Sequence, residues 1–365
     1  MKEAVLALMC VEGIGPRVFR SLTQMFGTAE DVLCQDKETL INHGGVTRDI
    51  AECIVDKKYL RSKDIQLEWM QKHHASYVTQ NERTYPEVLK HIYDAPPVLM
   101  YKGEFKTDDQ VAFAVVGSRY PDDYGKHMTE RIASGIAKQG ITIVSGMAKG
   151  IDSIAHICAL KQGSRTIAVL GTSLDCIYPA ENRKIFHQIC EKGAVCSETL
   201  IGQKLAPGNF IRRNRIISGL SRGVIVTQAG TKSGALVTAL AANEQNRDVF
   251  AVPGDCIKGK HTGCHRLIRL GAKIVERSED VLNEYPFLNE RLASQKNWII
   301  ESSVERDLSR EERDILALLN KEGVHIDVLI TKSSLGRPEL MSALLNLEIK
   351  GYVQRGKGDY YVRNI

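Results

Sequence analysis

Short apolar runs rich in β-branched residues alternate with longer stretches of helical spacing through the middle of the chain. We expect each run to form a strand: 111–116, 142–144, 166–170, 194–197, 223–227, 248–252 and 273–275. Strands that alternate with helices form crossover units, and such units build a parallel sheet that is covered by helices on both faces. The pattern therefore predicts a doubly wound, Rossmann-like α/β domain over residues 111–277.

Helical periodicity precedes this domain. Apolar residues recur at helical spacing over residues 1–65. The turn Gly13-Ile14-Gly15-Pro16 either presents backbone N–H groups to a phosphate, as in helix-hairpin-helix modules, or simply separates two helices. The residues leave both interpretations open. We predict a helical domain of the SAM or helix-hairpin-helix type over residues 1–65, followed by a connector packed on the core over residues 66–110.

The last part of the chain changes character at about residue 278. Residues 278–308 lose periodicity and gain charge, which predicts a linker. Ser309 and Glu312 have the spacing of a capping box that begins an apolar helix. Two further helices and a hairpin would complete a winged-helix-like domain over residues 309–365. A small helical packing module without DNA contact is the alternative, because the predicted third helix has few basic residues.

The composition narrows the class of protein. A chain of 365 residues with 43% hydrophobic residues suits about two or three domains. The formal net charge of +5 permits a polyanionic partner without requiring one. The nine cysteines include no CxxC pair, which fits a reducing cytosol. Because we recognise neither a signal peptide nor a membrane span, we expect a cytoplasmic protein with no membrane contact, no metal and no other cofactor.

The residues that follow the predicted strands carry the candidate chemistry. In a doubly wound sheet the ligand binds beyond the carboxyl ends of the strands, where helix N-termini also converge. Small residues there allow a close approach of the backbone, and basic residues supply charge. The candidates for anion binding are Ser118 and Arg119 after the first strand, Ser145 and Lys149 after the second, Arg212, Arg213, Asn214 and Arg215 after the fourth, and Thr231 and Lys232 after the fifth.

Several such loops on one edge suit a chain of phosphates. A mononucleotide needs one phosphate cradle, whereas a row of cradles suits the backbone of a nucleic acid laid across the sheet. Phe210 and Tyr178 either stack bases or are ordinary core aromatic residues. We therefore expect single-stranded DNA as the ligand, held mainly through its phosphates.

The same loops contain a recognisable series of motifs. The series is GSR followed by YG, SGMAKGIDSIAH, TIAVLGTSLDCIYPAENRKIF, SE, PGNFIRRNRIISGLS, SGALVTA, and VFAVPG followed by GCHRLIRLGA. It closely resembles the DprA/Smf family of DNA-processing proteins over about residues 80–275. The resemblance implies a non-catalytic protein that coats incoming single-stranded DNA as a homodimer and helps to load the RecA recombinase during natural transformation.

The resemblance extends to single residues, with three departures. The matches are Ser118 and Arg119 to GSR, Lys149 and Asp152 to SGxA(R/K)GID, and Arg212, Arg213, Asn214 and Arg215 to RRNR. Ile211 replaces a usual proline, which we expect to loosen the loop that carries the arginines. Gln228 replaces a usual glutamate, which removes a negative charge near the proposed DNA face. Lys149 stands where arginine is frequent.

An enzyme of the same sheet class is the main alternative. Ala229-Gly230-Thr231 faintly resembles the loop of nucleoside-monophosphate phosphoribohydrolases, whose chemistry needs a carboxylate beside the ribose. The double-glycine element is missing, and Glu244 lies about three helical turns beyond Thr231. A dinucleotide-binding oxidoreductase is disfavoured because no GxGxxG begins the first helix.

A zinc site is a further alternative, since zinc-ligand residue types cluster over ten residues. They are Cys256, His261, Cys264 and His265. Adjacent Cys264 and His265 point in different directions at a helix start, which disfavours a shared metal. His156 is better explained as a hydrogen-bonding residue on a helix than as a general base, because no nucleophile is found for it.

Overall fold

The computed structural model describes residues 2–288, 308–320, 323–333, 335–356 and 358–363. The chain divides into two compact units, Met1–Tyr285 and Pro286–Ile365. The first contains the N-terminal helices and a large sheet, and the second contains a small sheet with further helices. None of the described helices is both long enough and apolar enough to cross a bilayer.

Six helices form the part of the first unit that covers residues 2–72. They are α1 (Lys2–Met9), α2 (Pro16–Phe26), α3 (Ala29–Leu33), α4 (Lys37–Asn42), α5 (Arg48–Val55) and α6 (Tyr59–Lys72). The side chains of Thr28, Asp36 and Thr47 accept backbone hydrogen bonds at the starts of α3, α4 and α5, which fixes where these helices begin. The predicted helical region is confirmed, although α6 continues beyond residue 65.

Across residues 73–285 the chain forms a nine-stranded sheet. Its strands are β1 (Ser76–Thr79), β2 (Val98–Gly103), β3 (Ala112–Gly117), β4 (Thr142–Ser145), β5 (Thr166–Val169), β6 (Ala194–Ser197), β7 (Gly223–Gln228), β8 (Asp248–Ala251) and β9 (Lys273–Ile274). Their order is β1-β2-β6-β5-β4-β3-β7-β8-β9. Strands β3 to β9 are mutually parallel and confirm the predicted runs, because residues buried on both faces read as continuous apolar stretches.

The predicted connector over residues 66–110 is part of this sheet rather than a segment packed on it. It contains β1, the short helix α7 (Glu87–Lys90) and β2. Strand β2 pairs antiparallel with both β1 and β6. Leu99 and Met100 of β2 are fully buried. The segment therefore closes one edge of the parallel sheet.

The chain reverses its direction of winding between β3 and β7. From β3 it adds β4, β5 and β6 on one side, and then returns to add β7, β8 and β9 on the other. The connecting helices are α8 (Asp123–Lys138), α9 (Ile151–Lys161), α10 (Arg183–Lys192), α11 (Pro207–Gly219), α12 (Ala235–Glu244) and α13 (Thr262–Arg269). Ligands of such folds bind where the winding reverses. We call the rim at which β3 to β8 end the carboxyl edge.

The end of the first unit differs from the prediction of a linker that starts at residue 278. Residues 278–285 form α14 (Ser278–Leu282) and place Tyr285 against the sheet. The Tyr285 hydroxyl donates a hydrogen bond to Asp248 Oδ2 over 2.6 Å. Residues 289–307 of the predicted linker lie outside the described residues.

From residue 308 onward, the described part of the second unit has three helices and a small antiparallel sheet. Its elements are α15 (Arg310–Leu318), β10 (Val324–His325), α16 (Ile326–Lys332), α17 (Arg337–Ile349), β11 (Val353–Arg355) and β12 (Tyr360–Arg363), with the strand order β10-β12-β11. Ser309 and Glu312 form the predicted capping box at the start of α15. Leu329, Leu340 and Leu347 are fully buried between the elements. The arrangement is the predicted winged helix.

Candidate nucleic-acid interface

The loops that follow β3, β4 and β7 meet where the winding of the chain reverses. The amide of Ser118 donates a hydrogen bond to the carbonyl oxygen of Gln228 over 2.8 Å, and the amide of Ile151 donates to the Ser118 carbonyl over 3.1 Å. Gly150 has a φ of +79°, and a Cβ on it would lie 2.4 Å from the Ser118 carbonyl oxygen. Glycine is therefore needed at this position for the loops to approach so closely.

Arg119 lies beside two aromatic rings at the carboxyl edge. Its guanidinium carbon is 6.0 Å from the centroid of the Phe210 ring, and the Phe210 and Tyr178 centroids are 5.7 Å apart. Arg119 is exposed, Tyr178 is 45% exposed and Phe210 is half-buried. A Cβ on Gly171 would lie 2.6 Å from the Phe210 ring, so glycine makes room for it. We call Arg119, Tyr178 and Phe210 the Arg119 platform.

Lys149 is exposed on the loop after β4. Its ammonium pairs with the carboxylate of Glu181 over 2.5 Å, which raises the pKa of Lys149 and lowers the pKa of Glu181. Both side chains are exposed, so the pair is weak and a phosphate can compete for the lysine. The loop itself is held from below, because Asn182 Nδ2 donates to the Met147 carbonyl oxygen over 2.8 Å.

Arg213 supports the carboxyl edge from inside and is only 5% exposed. Its Nη1 donates to the carbonyl oxygen of Gly146 over 2.6 Å and also to that of Val169. The buried carboxyl of Asp152 interacts with the same guanidinium. Burial lowers the pKa of Arg213 to about 10 and raises the pKa of Asp152. The predicted contact of Arg213 with phosphate does not fit this structure, because protein groups already use the guanidinium.

The next two residues of the RRNR motif are also turned away from solvent. Asn214 is buried, and its Oδ1 accepts a hydrogen bond from Arg213 Nε over 3.1 Å. Arg215 forms ion pairs with Glu198 and with Asp94, the latter over 3.3 Å. Successive residues of a helix point about 100° apart, so four in a row cannot face one ligand. The predicted DNA contacts of Asn214 and Arg215 are therefore replaced by internal ones.

Other predicted residues keep access to solvent. Arg212 is exposed on α11, where its Nη2 donates to Asn209 Oδ1 over 2.7 Å. Thr231 and Lys232 are exposed on the loop between β7 and α12. Ser145, by contrast, is fully buried and donates its hydroxyl to a backbone carbonyl of β3 over 2.6 Å, so it cannot reach a ligand. The accessible set is Ser118, which is half-buried, and Arg119, Lys149, Arg212, Thr231 and Lys232.

Gln228 links two loops beneath the carboxyl edge. Its Nε2 donates to Asp122 Oδ1 over 2.7 Å and lies 2.9 Å from His261 Nε2, while its Oε1 accepts from the Asp122 amide over 3.1 Å. Burial lowers the pKa of His261, which favours a neutral ring with an accepting nitrogen. Gln228 is fully buried, so its expected effect on surface charge is not found. A polar residue at the end of a buried strand is the sequence signal that points to such a network.

Ile211, the other departure with an expected effect, does not open the structure around the arginines. It lies within α11, which runs unbroken from Pro207 to Gly219. Its side chain is 60% exposed. With Ile211 at this position, Arg213 and Arg215 still make their internal contacts.

The residues behind the alternative functions lie apart or have other partners. Glu244 is the last residue of α12, at the opposite end of that helix from Thr231. Cys264 Sγ donates to a backbone carbonyl of β7, and His265 Nε2 bonds to the backbone of the loop after β8. Within the described residues, no group of three or more His, Cys, Asp or Glu side chains is placed to hold a metal ion.

His156 is fully buried beneath the same edge. Its Nδ1 lies 2.7 Å from Thr166 Oγ1, and its Nε2 has no hydrogen-bond partner among the described residues. Burial, together with the nearby Arg213, lowers the pKa of His156 to about 3. The ring is therefore neutral at physiological pH and out of reach of a ligand.

Two family models match the chain. One, described as DNA recombination-mediator protein A, covers residues 76–286, and the other, described as the DprA winged helix domain, covers residues 301–359. The first match starts at the first residue of β1 and stops one residue after the first unit. The second match falls within the second unit.

Individual relatives agree with these matches. Protein Smf of Synechocystis is 35% identical to this chain in an alignment that covers 98% of this chain and 98% of that protein. DNA processing protein DprA of Streptococcus pneumoniae is 46% identical over 203 residues, which cover 56% of this chain and 72% of the relative.

Solved structures also resemble this chain. The X-ray structure of the Streptococcus pneumoniae protein has a TM-score of 0.68 at 36% identity and covers 78% of this chain and 98% of that one. A structure of DNA processing protein A from Helicobacter pylori, described by its single-stranded DNA binding mode, has a TM-score of 0.52 at 32% identity and covers 60% and 97%.

Proposed function

This chain belongs to the DNA recombination-mediator protein A family, and on that premise we propose that it binds single-stranded DNA across the carboxyl edge of its first unit without catalysing a reaction. In the cell it protects incoming single strands during natural transformation and helps to load the RecA recombinase onto them. The observation that carries the proposal is the Arg119 platform, an exposed guanidinium beside two accessible aromatic rings.

The Arg119 platform offers the two kinds of contact that a single strand needs. A base can stack on Tyr178, which is 45% exposed, and stacking of this kind tolerates any base. The guanidinium of Arg119 can bind the adjacent phosphate, since it faces solvent and has no carboxylate partner among the described residues. A duplex, whose bases are already stacked and paired, cannot use the platform in this way.

The remaining exposed residues of the carboxyl edge bind further phosphates of the strand. Arg212 lies on the same helix as Phe210, and Thr231 and Lys232 lie on the loop after β7. Lys149 contributes once a phosphate displaces Glu181. These contacts read charge and not sequence, so the proposed binding is general for single strands.

The absence of catalysis is supported by the engagement of the groups that would otherwise react. Asp152 is buried, and its Oδ2 accepts hydrogen bonds from the backbone amides of Gly146 and Ala148. His156 is buried and neutral. A phosphoribohydrolase would need a carboxylate beside the ribose, and Glu244 is a helix length away from the loop of Thr231.

We infer that the protein acts as a homodimer in the cytoplasm. Strand β9 is the outer strand of the sheet, and Ile274 within it and Leu270 shortly before it are 55% and 63% exposed. An edge strand with exposed apolar side chains favours pairing with a second copy. The nine cysteines are all unpaired, which suits a reducing compartment.

The test compares ligands for the full-length protein over a salt series. Fluorescence anisotropy with labelled oligothymidylate, a matched duplex and a labelled mononucleotide should show tight binding of the single strand alone, with an affinity that falls steeply as salt rises. Equal binding of duplex and single strand would contradict the Arg119 platform as the binding surface. Release of a free base from nucleoside monophosphates would instead establish the phosphoribohydrolase alternative.

A further inference from the structure

The first unit holds a cavity of about 590 Å³ away from the Arg119 platform. It is bounded by α2, by the segment between α7 and β2, and by the end of α12. The side chains that matter most in its lining are Phe19, Arg20, Lys90, Tyr93 and Glu244. We call it the Tyr93 cavity. A volume of this size accommodates one small molecule or one nucleotide unit.

Tyr93 presents an aromatic ring to solvent in this cavity. The residue is 70% exposed and contacts two arginines. The guanidinium carbons of Arg20 and Arg17 lie 5.1 and 5.7 Å from the ring centroid, and Arg20 Nη1 donates to the Tyr93 carbonyl oxygen over 2.8 Å. An aromatic ring that contacts two guanidinium groups and keeps most of its surface exposed has the properties of a stacking surface.

The charges around the ring favour an anion. Neither Arg17 nor Arg20 pairs with a carboxylate among the described residues, whereas Lys90 pairs with Glu87 over 2.9 Å. Of the described residues that line the cavity, Glu244 alone is acidic. Guanidinium groups bind phosphate through two parallel hydrogen bonds, so this pair of arginines suits a phosphate group.

The Tyr93 cavity is separate from the Arg119 platform. Glu244 ends α12, and Asn246 leads into the start of β8, so this wall of the cavity lies at the amino ends of the strands. The residues of the Arg119 platform do not line it. Ligand binding here can therefore be measured in a protein whose Arg119 platform has been removed.

We propose that the Tyr93 cavity binds a nucleotide unit, with the base stacked on Tyr93 and the phosphate held by Arg20, which lines the cavity, and by Arg17, which lies beside the Tyr93 ring. A free nucleotide and a nucleotide within a single strand offer the same chemistry. In the second case the cavity gives a strand another point of attachment to the protein, beyond the contacts at the carboxyl edge.

The experiment starts from full-length protein that carries Arg119→Ala and Arg212→Ala, because these changes weaken strand contacts at the other site. Tyr93→Ala and Arg20→Ala are then added together. The probes are deoxyadenosine monophosphate, measured by isothermal titration calorimetry, and a long fluorescein-labelled oligothymidylate, measured by anisotropy. We expect the added changes to weaken binding of at least one probe by about tenfold or more.

The two probes separate the sources of the ligand. Weaker binding of the monophosphate assigns a free nucleotide to the cavity, and weaker binding of the oligothymidylate alone assigns a unit of a strand. Unchanged affinity for both probes overturns the proposal.

The matched control keeps the ring and removes one charge elsewhere. Tyr93→Phe combined with Lys138→Ala, an exposed position on α8, should bind both probes as the background protein does. Arg17→Ala serves as a second test variant, since it breaks no described hydrogen bond. If the Tyr93→Ala and Arg20→Ala protein melts earlier than its parent, weaker binding by the Arg17→Ala protein supports the proposal and unchanged binding overturns it.

Discussion

Arg213 Nη1 donates a hydrogen bond to the carbonyl oxygen of Gly146 over 2.6 Å, and the guanidinium occupies the space that a side chain at Gly146 would need. A Cβ on this glycine would lie 2.6 Å from Arg213 Nη2. The contact joins α11 to the loop that carries Lys149. Arg213, whose charge alone would predict an exposed side chain, therefore stabilises the carboxyl edge from inside the fold.

The first prediction concerns the stability of the Arg213→Ala protein. The change leaves the carbonyl oxygens of Gly146 and Val169 without their donor, and leaves the Asp152 carboxyl buried without its counter-charge. We expect the free energy of unfolding to fall by about 3 to 5 kcal/mol, as when one partner of a buried pair is removed. Urea unfolding followed by circular dichroism measures it.

Arg212→Ala is the matched control for that experiment. Arg212 is exposed on the same helix, so its removal should change the free energy of unfolding by less than about 0.5 kcal/mol. Similar unfolding curves for the Arg213→Ala and wild-type proteins would contradict the internal role of Arg213.

The second prediction separates binding from stability. Arg119→Ala and Arg212→Ala should each weaken binding of a single strand, and each should reduce the slope of log affinity against log salt by about 0.7, because one phosphate contact is lost. Their melting temperatures should equal that of the wild type. Lys138→Ala, which removes an exposed charge from α8, is the control and should leave the slope unchanged. A doubly substituted protein with wild-type affinity would exclude the Arg119 platform.

The third prediction concerns the pH dependence of stability through His156. Burial lowers the pKa of His156 to about 3, whereas an unfolded histidine titrates near about 6.5. Between these values the unfolded chain binds the proton and the folded chain does not, so stability falls as pH falls, by about 1.4 kcal/mol per pH unit from this residue.

His156→Asn should remove that part of the slope while leaving the other titrating groups in place. Urea unfolding at a series of pH values between about 4 and 7 measures the difference between variant and wild type. Gln162→Ala, at an exposed position without a titrating group directly after α9, should keep the wild-type slope. Equal slopes for the His156→Asn and wild-type proteins would show that His156 binds a proton as readily in the folded chain as in the unfolded chain.

The fourth prediction concerns Gln228 and His261. Gln228→Glu places a carboxylate about where the amide now lies, 2.9 Å from His261 Nε2. An adjacent negative charge favours the protonated ring, so the pKa of His261, which burial lowers in the wild type, should rise. Titration of the imidazole signals by NMR measures it. Gln228→Met, which removes the hydrogen bonds without adding charge, should not raise the pKa, and a variant glutamate without effect would contradict the network.

The fifth prediction concerns the boundary of the first unit. A chain that ends at Tyr285 should fold and bind a single strand as the full chain does. A chain that ends at residue 277 lacks α14 and Tyr285, whose hydroxyl donates to Asp248 Oδ2 over 2.6 Å and whose ring lies 5.0 Å from that of Phe113. We expect the shorter chain to melt at a lower temperature. Equal melting temperatures would show that the unit ends where the charge pattern changes.

Several parts of this fold could be predicted because their signals are local. The strands of the parallel sheet are buried on both faces, so each is a continuous apolar run between turns. The helix that starts after Ser309 is predicted by the capping box that Ser309 forms with Glu312. The GSR and RRNR motifs place Arg119 and Arg213 near one edge, and both residues do lie at or beneath that edge.

Other parts could not be predicted because they depend on residues that are distant in the chain. The sequence around Arg213 shows its charge but not whether its side chain points inward. Hydrogen bonds to the carbonyl oxygens of Gly146 and Val169 hold the guanidinium inside the fold. Likewise, β2 has no alternating pattern of its own and becomes a strand because β6 offers an edge. Whether a charged side chain on a helix faces solvent can be predicted only when the neighbouring elements are already known.

The pairing of β2 with β6 also has a consequence for the order in which the molecule assembles. Strand β2 ends at Gly103, but its partner begins only at Ala194. During synthesis β2 therefore has no partner until β6 has been made. Pairings between strands so distant in the chain form slowly. We expect the N-terminal helices, whose contacts are near in sequence, to fold first. The pairing of β2 with β6 should be among the last steps of folding.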